Sequence, residues 1–366
     1  MNAFSGQNYH VLWSFPENQR DILDRVSVPS NLRLENFVPQ VFFPSVPLPS
    51  LFIAPFLPLP IPSFLSIAPF FLSGWLILRS VFGRHSTLAS FETLLFSFAL
   101  GVATLDFSMI GLGKAGIPFS ASTVLLAFLA APTILSAARY AYDFGTKHSR
   151  KTPDSGIGTA FSPSRNESLA FLVILVLTIF LKSLFLSDAG LPTSTDLGHH
   201  MYWAKLVAEQ GVLPEYEKRE IITLDGRSVL SDPTPISDFI IGEHLPFSAV
   251  AILSEKSFFS AFPVNFLSLV NLLSLLALMA FSVRLAERIL TGKTGPSPFS
   301  VGLAVLFVAG PLFAFSSPES KYVSGGVVGN LFGNLLIPLI LLSLFRALRD
   351  KDPRFLTIGI ILSFTL

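Results

Sequence analysis

A polar run between Asp188 and Glu243 interrupts an otherwise apolar chain, and near its start residues 195–203 read TDLGHHMYW. The run directly follows a strongly apolar segment at 169–186. An acid, two histidines and two aromatic residues placed straight after a predicted spanning helix indicate a functional site at the end of that helix. The rest of the chain is mostly lipid-compatible and is interpreted as the scaffold of that site.

The composition is typical of an integral membrane protein. Hydrophobic residues make up 51% of the chain, charged residues only 13%, and phenylalanine occurs 37 times. The chain has no cysteine, which excludes disulfides, thiolate nucleophiles and cysteine-ligated metals, so a metal would need Asp, Glu or His ligands. The formal net charge is +1 and the basic residues do not cluster on one soluble face, so we expect no nucleic-acid partner.

Apolar segments of roughly 20 residues, the length that crosses ~30 Å of hydrocarbon, recur about eight times. They predict an all-α fold, a polytopic transmembrane helical bundle in contact with the lipid bilayer. The predicted spans are 64–81, 88–112, 122–140, 169–186, 263–283, 299–315 and 327–348, with an eighth that starts near Phe355 and is interrupted at Leu366. An incomplete spanning helix leaves carbonyl groups unpaired in lipid, so we expect a fragment of a longer protein.

Composition shifts divide the chain into four parts. Residues 1–62 form a polar and then proline-rich arm, 63–142 a first three-helix membrane group, 143–167 a polar linker, and 168–366 the membrane core. Lysine and arginine concentrate in the linker and after the predicted fifth and seventh spans, so these loops should be cytoplasmic. Alternation then places the 187–262 loop on the outer side of a multi-pass protein, in the plasma membrane if the cell is prokaryotic.

Residues 195–210 are predicted to form a helix at the outer interface. Asp196, His199, His200 and Trp203 fall on one face of this helix. Such a face could act as a general base, bind a divalent cation, or hold a phosphate and a sugar ring. The alternative is an amphipathic interfacial helix whose aromatic residues lie at the level of the lipid headgroups.

Two further outer segments hold candidate residues. The 188–243 run carries ten acidic residues against four basic ones, and Glu243 and His244 lie where the chain returns to the membrane, ahead of a predicted interfacial helix within 245–262. Lys321 lies in a short predicted outer loop, where it could pair with a phosphate. The alternative for Lys321 is a snorkelling lysine beside the helix-capping Glu319.

Charged residues inside predicted spans suggest a different function. Glu92 and Asp106 lie on roughly one face of the second span, and Lys182 lies one turn inside the fourth. Charges at that depth are costly, so each is a functional hypothesis. Gly325, Gly329 and Gly333 recur every four residues, a stripe typical of close helix packing.

The outer run resembles a known family. Residues 196–200, reading DLGHH, with Ala204 and GVLP at 211–214, are similar to the first outer loop of the GT-C superfamily of polytopic membrane glycosyltransferases. The segment EHLPF at 243–247 matches the place where members often have a Pro-containing segment before an interfacial helix. The resemblance covers roughly 169–349, more by layout than by signature.

The resemblance implies transfer of a sugar from a polyprenyl-phosphate donor to a glycan or lipid-linked acceptor of the cell envelope. It makes Asp196 the base or a metal ligand. His199, His200, Trp203, Glu243, His244 and Lys321 would then contact substrate or phosphate. A Mg²⁺ or Mn²⁺ ion would be held by Asp196, His200 and Glu243, although the loop lacks the paired Asp-x-Asp seen in members.

Two other classes compete with this interpretation. A transporter or lipid flippase would use Glu92, Asp106 and Lys182 as an ion or substrate path. Against it, no inverted repeat is apparent and the polar residues cluster at one surface. The third class is a noncatalytic scaffold subunit of a membrane complex.

Overall fold

The computed structural model describes fourteen stretches or single residues of the chain, namely 61–83, 88–145, 161–184, 195–214, 217–218, 221–224, 227–230, 234–235, 242, 244–254, 258, 263–290, 295–316 and 328–365. For a few residues at several helix ends, and for most strand residues, only the backbone is described. Asp196 and His199 belong to this group.

Helices dominate the described residues. They are α1 Ile61–Phe82, α2 Ser90–Lys114, α3 Ala121–Gly145, α4 Arg165–Leu184, α5 Thr195–Gln210, α6 Leu245–Ser254, α7 Pro263–Ile289, α8 Pro298–Phe307, α9 Phe313–Ser316, α10 Val328–Asp350 and α11 Pro353–Ser363. A π-helical turn, Val308–Leu312, joins α8 to α9 and contains Pro311. A proline cannot donate its backbone N–H, which explains why the hydrogen-bond pattern changes there.

Among the described residues, five helices are long and apolar enough to cross a membrane, which confirms the prediction of a mostly helical membrane protein. They are Leu65–Phe82, Ser90–Lys114, Ala121–Gly145, Phe266–Ile289 and Asn330–Asp350. Of the other three predicted spans, α4 carries Arg165, Glu167 and Lys182, while Pro298–Leu312 and Pro353–Ser363 are shorter apolar helices. The two shorter helices fall below the length of a span. Helix α4 has the length but carries three charged residues.

Short strands occur in the polar run, where the sequence predicted none. Ile221–Leu224 pairs antiparallel with Arg227–Leu230, and Glu217–Lys218 pairs with Thr234–Pro235. Residues 215–239 fall in a separate compact unit from 47–214 and 240–366. The all-α prediction therefore applies to the larger unit, and backbone groups in the polar run are paired in hairpins instead.

The larger unit brings the two predicted membrane groups together. Helix α2 packs against α1 and α3 and also contacts α7, α10 and α11. The ring of Phe70 in α1 contacts the rings of Phe98, Phe128 and Phe266, which belong to three other helices. A single apolar core thus runs through both groups.

Two glycines let α1 and α2 cross in contact. A Cβ atom on Gly101 would overlap the carbonyl oxygen of Phe70, and one on Gly74 would overlap that of Ser97. Small residues at such crossings allow backbones to approach closely and pack in lipid. The sequence predicted a glycine stripe at Gly325, Gly329 and Gly333. Of these, Gly325 lies outside the described residues.

Candidate functional site

Two groups of buried titratable side chains occur among the described residues of the larger unit. Glu92 and Asp106 both lie on α2, fourteen residues apart, which corresponds to about 21 Å along a helix. Glu92 lies among the ends of α7 and α10, which we call the basic end. Asp106 lies near Gly242, and the adjoining His200 and His244 define the histidine end.

A pair of imidazoles forms the centre of the histidine end. Nδ1 of His200 lies 2.9 Å from Nε2 of His244, and the ring centroids are 5.2 Å apart. His244 is fully buried at the start of α6, while His200 is half-buried on α5. A hydrogen bond between two ring nitrogens requires one to donate and one to accept, so at least one imidazole is neutral.

Backbone contacts fix α5 beside α6. The hydroxyl of Ser248 donates to the carbonyl oxygen of Ala204 at 2.7 Å. Met201, Ala204 and Val207 are buried and form the packed face of α5, with His200 at its edge. The C-terminal end of α5 is held by a 2.6 Å hydrogen bond from the Phe119 amide to the carbonyl oxygen of Gly211. The position of His200 is therefore set by packing along the helix.

Helix α6 differs from the predicted interfacial helix. All of residues 245–251 are buried, and the helix packs against α1, α2, α3 and α5. An interfacial helix leaves one face exposed, and these residues have none. A ten-residue apolar helix of this kind is typical of a buried core or re-entrant segment, and it carries His244 into the bundle.

The predicted site is only partly described. Of its residues, His200 and His244 meet, and Trp203 is half-buried with its ring edge-on to Tyr202 at 5.5 Å. The side chains of Asp196 and His199, together with Glu243 and Lys321, lie outside the described residues. Among the described side chains no group of three His, Asp or Glu is placed to hold a metal. The predicted set of Asp196, His200 and Glu243 thus remains a prediction.

Asp106 is buried at the histidine end, with 7% of its surface exposed. Its Oδ1 atom has no hydrogen-bond partner in the part of the chain that the structure describes. An ideal Cβ atom at Gly242 would lie 3.8 Å from Oδ2 of Asp106. The carboxyl group therefore lies against the segment that leads into His244.

The chain was compared with known proteins at the level of sequence and structure. No family model, curated protein or solved structure matches it.

The basic end contains a closed ring of six charged groups. Glu92 accepts two hydrogen bonds of 2.7 Å from Arg284 and two of 3.3 Å from Arg346. The ring continues from Arg284 to Glu287 at 3.0 Å, from Glu287 to Arg349 at 2.8 Å, and through Asp350 at 2.6 and 2.5 Å back to Arg346. Three guanidinium groups alternate with three carboxylates, so the charges balance.

Aromatic rings cover the two buried arginines. The guanidinium carbon of Arg284 lies 4.8 Å from the ring centre of Phe161, and that of Arg346 lies 4.6 Å from that of Phe355. Arg284, Arg346 and Glu92 are fully buried. A buried charge needs a partner and satisfied hydrogen bonds, and this ring supplies both.

The ring changes the interpretation of Glu92. The sequence grouped Glu92 with Asp106 as part of a possible ion path, but Glu92 also accepts from the Ala89 amide at 2.9 Å and its oxygens are occupied. Arg284 and Arg346 were interpreted only as basic residues of cytoplasmic loops. A signal was present, because each lies at the end of an apolar helix where a partner would be needed.

A second acid at the basic end also accepts several hydrogen bonds. Glu167, in the first turn of α4, accepts hydrogen bonds from the Ser297 and Ser300 hydroxyls and from the Ser164 amide. The Ser297 hydroxyl is the main cause, and together these donors lower the pKa of Glu167 to about 2. The contact joins the start of α4 to the start of α8.

Proposed function

We propose that the protein is a polytopic membrane glycosyltransferase. It transfers a sugar from a polyprenyl-phosphate donor to a glycan or lipid-linked acceptor, with the 187–262 loop on the outer side of the membrane, which is the plasma membrane if the cell is prokaryotic. The observation that carries the proposal is the His200–His244 contact of 2.9 Å, which joins the DLGHH segment to the EHLPF segment. These are the two segments that resemble the glycosyltransferase family.

Asp196 is the proposed general base. It precedes His200 by one turn of α5, so both belong to the same end of the bundle. The carboxylate accepts the proton of the acceptor hydroxyl while the hydroxyl oxygen forms a bond to the anomeric carbon. The bond from that carbon to the phosphate oxygen breaks, and the polyprenyl phosphate leaves with the electron pair.

The histidines serve the leaving group in this proposal. A phosphate released near the bilayer carries negative charge, which an imidazolium or a lysine stabilises. His200 is half-buried and shares a hydrogen bond with His244. An imidazolium formed at one ring is therefore held in place by the other ring. Lys321 is the second proposed phosphate contact, and the lipid bilayer holds the polyprenyl chain.

The experiment is transfer of labelled sugar from a panel of polyprenyl-phosphate donors to envelope acceptors, in membranes that hold the full-length protein. We expect Asp196→Asn to lose at least about a hundredfold in kcat, the scale of a general base. The matched control is Glu209→Gln, an exposed acid on the same helix paired with Lys205 at 3.7 Å, which should transfer like the native protein. Equal rates in native and Asp196→Asn membranes would remove Asp196 from the mechanism. A chelator arm tests the proposed divalent cation.

Transport is the second candidate, and Asp106 is the observation that favours it. A buried carboxyl with an unpartnered oxygen is typical of an ion path in membrane proteins. The saturation of Glu92 counts against a path along α2, because a conducted ion would compete with two arginines there. Absence of transfer by the native protein, together with ion-driven uptake into vesicles, would favour transport.

A further inference from the structure

Asp106 is the buried acid that neither the packing nor the proposed base explains. Its side chain is 7% exposed, and Oδ1 lacks a hydrogen-bond partner among the described residues. Leaving a buried polar group unpaired is costly, and nearly all such groups in proteins find a partner or an ordered ligand. A group without a partner in the described structure is therefore a candidate to bind a ligand.

The surroundings of Asp106 are apolar on the helix that carries it. Val102, Leu105 and Met109 of α2 are buried within one turn of it. On the other side Gly242 approaches Oδ2, and His244 follows two residues later with its contact to His200. Apolar surroundings with a few polar groups are typical of small-molecule sites.

We propose that Asp106 is a substrate-binding residue that accepts a hydrogen bond from a hydroxyl group of the sugar. The inference rests on the proposed function and names a second acid for it, distinct in role from Asp196. A sugar ring offers several O–H donors and little charge, which suits an acceptor with no cation beside it in the described structure. The oxygen is fixed by the packing of α2, so a hydrogen bond to Oδ1 orients the ring as well as holding it.

The first test measures stability and needs no substrate. Asp106→Asn keeps the shape and replaces the carboxyl group by an amide, and since Oδ1 has no partner to lose in the described structure, we expect a melting temperature of the purified protein that is unchanged or higher. Glu92→Gln, on the same helix, is the matched control and should melt at a clearly lower temperature. A lower melting temperature for Asp106→Asn would mean that the carboxyl has a structural partner, which would overturn the proposal.

The second test measures transfer kinetics under the conditions of the Asp196 assay. Asp106→Ala removes the acceptor, and we expect KM for the sugar donor or acceptor to rise about tenfold to a hundredfold with kcat changed less than about twofold. Asp106→Asn, which retains a neutral acceptor, should show a smaller rise. KM should therefore rise less in the variant whose side chain still accepts a hydrogen bond.

The outcomes separate this proposal from the one on which it rests. Transfer by the native protein with unchanged KM in both Asp106 variants would overturn the substrate role alone. A KM that depends on added Na⁺ or Mg²⁺ in the native protein and loses this dependence in Asp106→Asn would assign a cation site and overturn the sugar contact. Absence of transfer by the native protein across the donor panel would overturn the proposed function and this role with it.

Discussion

Glu92 and Asp106 lie on the same helix and are both buried, yet their surroundings differ. Glu92 is bound by Arg284, Arg346 and a backbone amide, whereas Asp106 has an oxygen with no partner in the described structure. The basic end thus consists of acids whose hydrogen bonds are complete, and the histidine end holds an acid whose hydrogen bonds are not. The difference separates a charge that holds helices together from one that is available to a ligand.

The two ends also differ in the helices that contribute their side chains. The ring at the basic end joins α2, α7 and α10, helices far apart in the chain, so it can form only when the bundle assembles. The histidine end combines the short helices α5 and α6 with Asp106 of α2. Stability should therefore depend mainly on the basic end, and activity on the histidine end.

Replacing Glu92 should have the largest effect on this comparison. Glu92→Gln leaves two buried guanidinium groups without their shared carboxylate, and breaking a buried ion pair in this way costs roughly 3–5 kcal/mol. Thermal unfolding of the purified protein in detergent measures the loss. Asp106→Asn at the other end of α2 serves as the control, and similar losses for both variants would contradict the distinction between the two ends.

The second prediction concerns the crossing that lies between the two ends of α2. Gly101→Ala places a methyl group on the carbonyl oxygen of Phe70, so α1 and α2 must separate, and overpacking of this kind costs about 1–3 kcal/mol. Gly111→Ala is the matched control, because nothing lies within 4 Å of its Cβ position. Alanine is a better helix former than glycine, so the control should be neutral or slightly more stable. Equal losses would exclude the close crossing as the cause.

The apolar pattern predicts the long helices well because period and length are properties of single segments. Residues 90–114 were predicted as a span at 88–112, and the long helix in this region confirms it. The pairing of Glu92 with Arg284 and Arg346 was not predictable in the same way, since the partners are 192 and 254 residues apart. A single sequence carries no signal of which distant charges meet.

The candidate site shows the same limit at shorter range. The sequence selected His200 and His244 independently, because each follows or precedes an apolar helix, but their contact depends on how α6 enters the bundle. It also predicted a short interfacial helix within 245–262, because the burial of residues 245–251 on all sides is not visible in the pattern. Of the two acids on α2, Asp106 was expected to be the more buried, which is wrong: Glu92 is fully buried, whereas Asp106 is 7% exposed and has an oxygen without a partner in the described structure.

The smallest effect is expected for Glu167. This residue tests whether a full set of hydrogen bonds to an acid is enough to stabilise the basic end. Its hydrogen bonds lower its pKa from 4.5 to about 2, so the folded state favours the ionised form. A carboxyl with a depressed pKa contributes stability that is present above about pH 4.5 and is lost as the pH falls toward 2. The native protein should therefore lose more stability than Glu167→Gln across that window, as measured by melting temperature against pH. The difference should be small because the group is near the surface and partly screened by solvent. Parallel pH profiles for the two proteins would mean that the serine hydroxyls do not hold the carboxylate in solution.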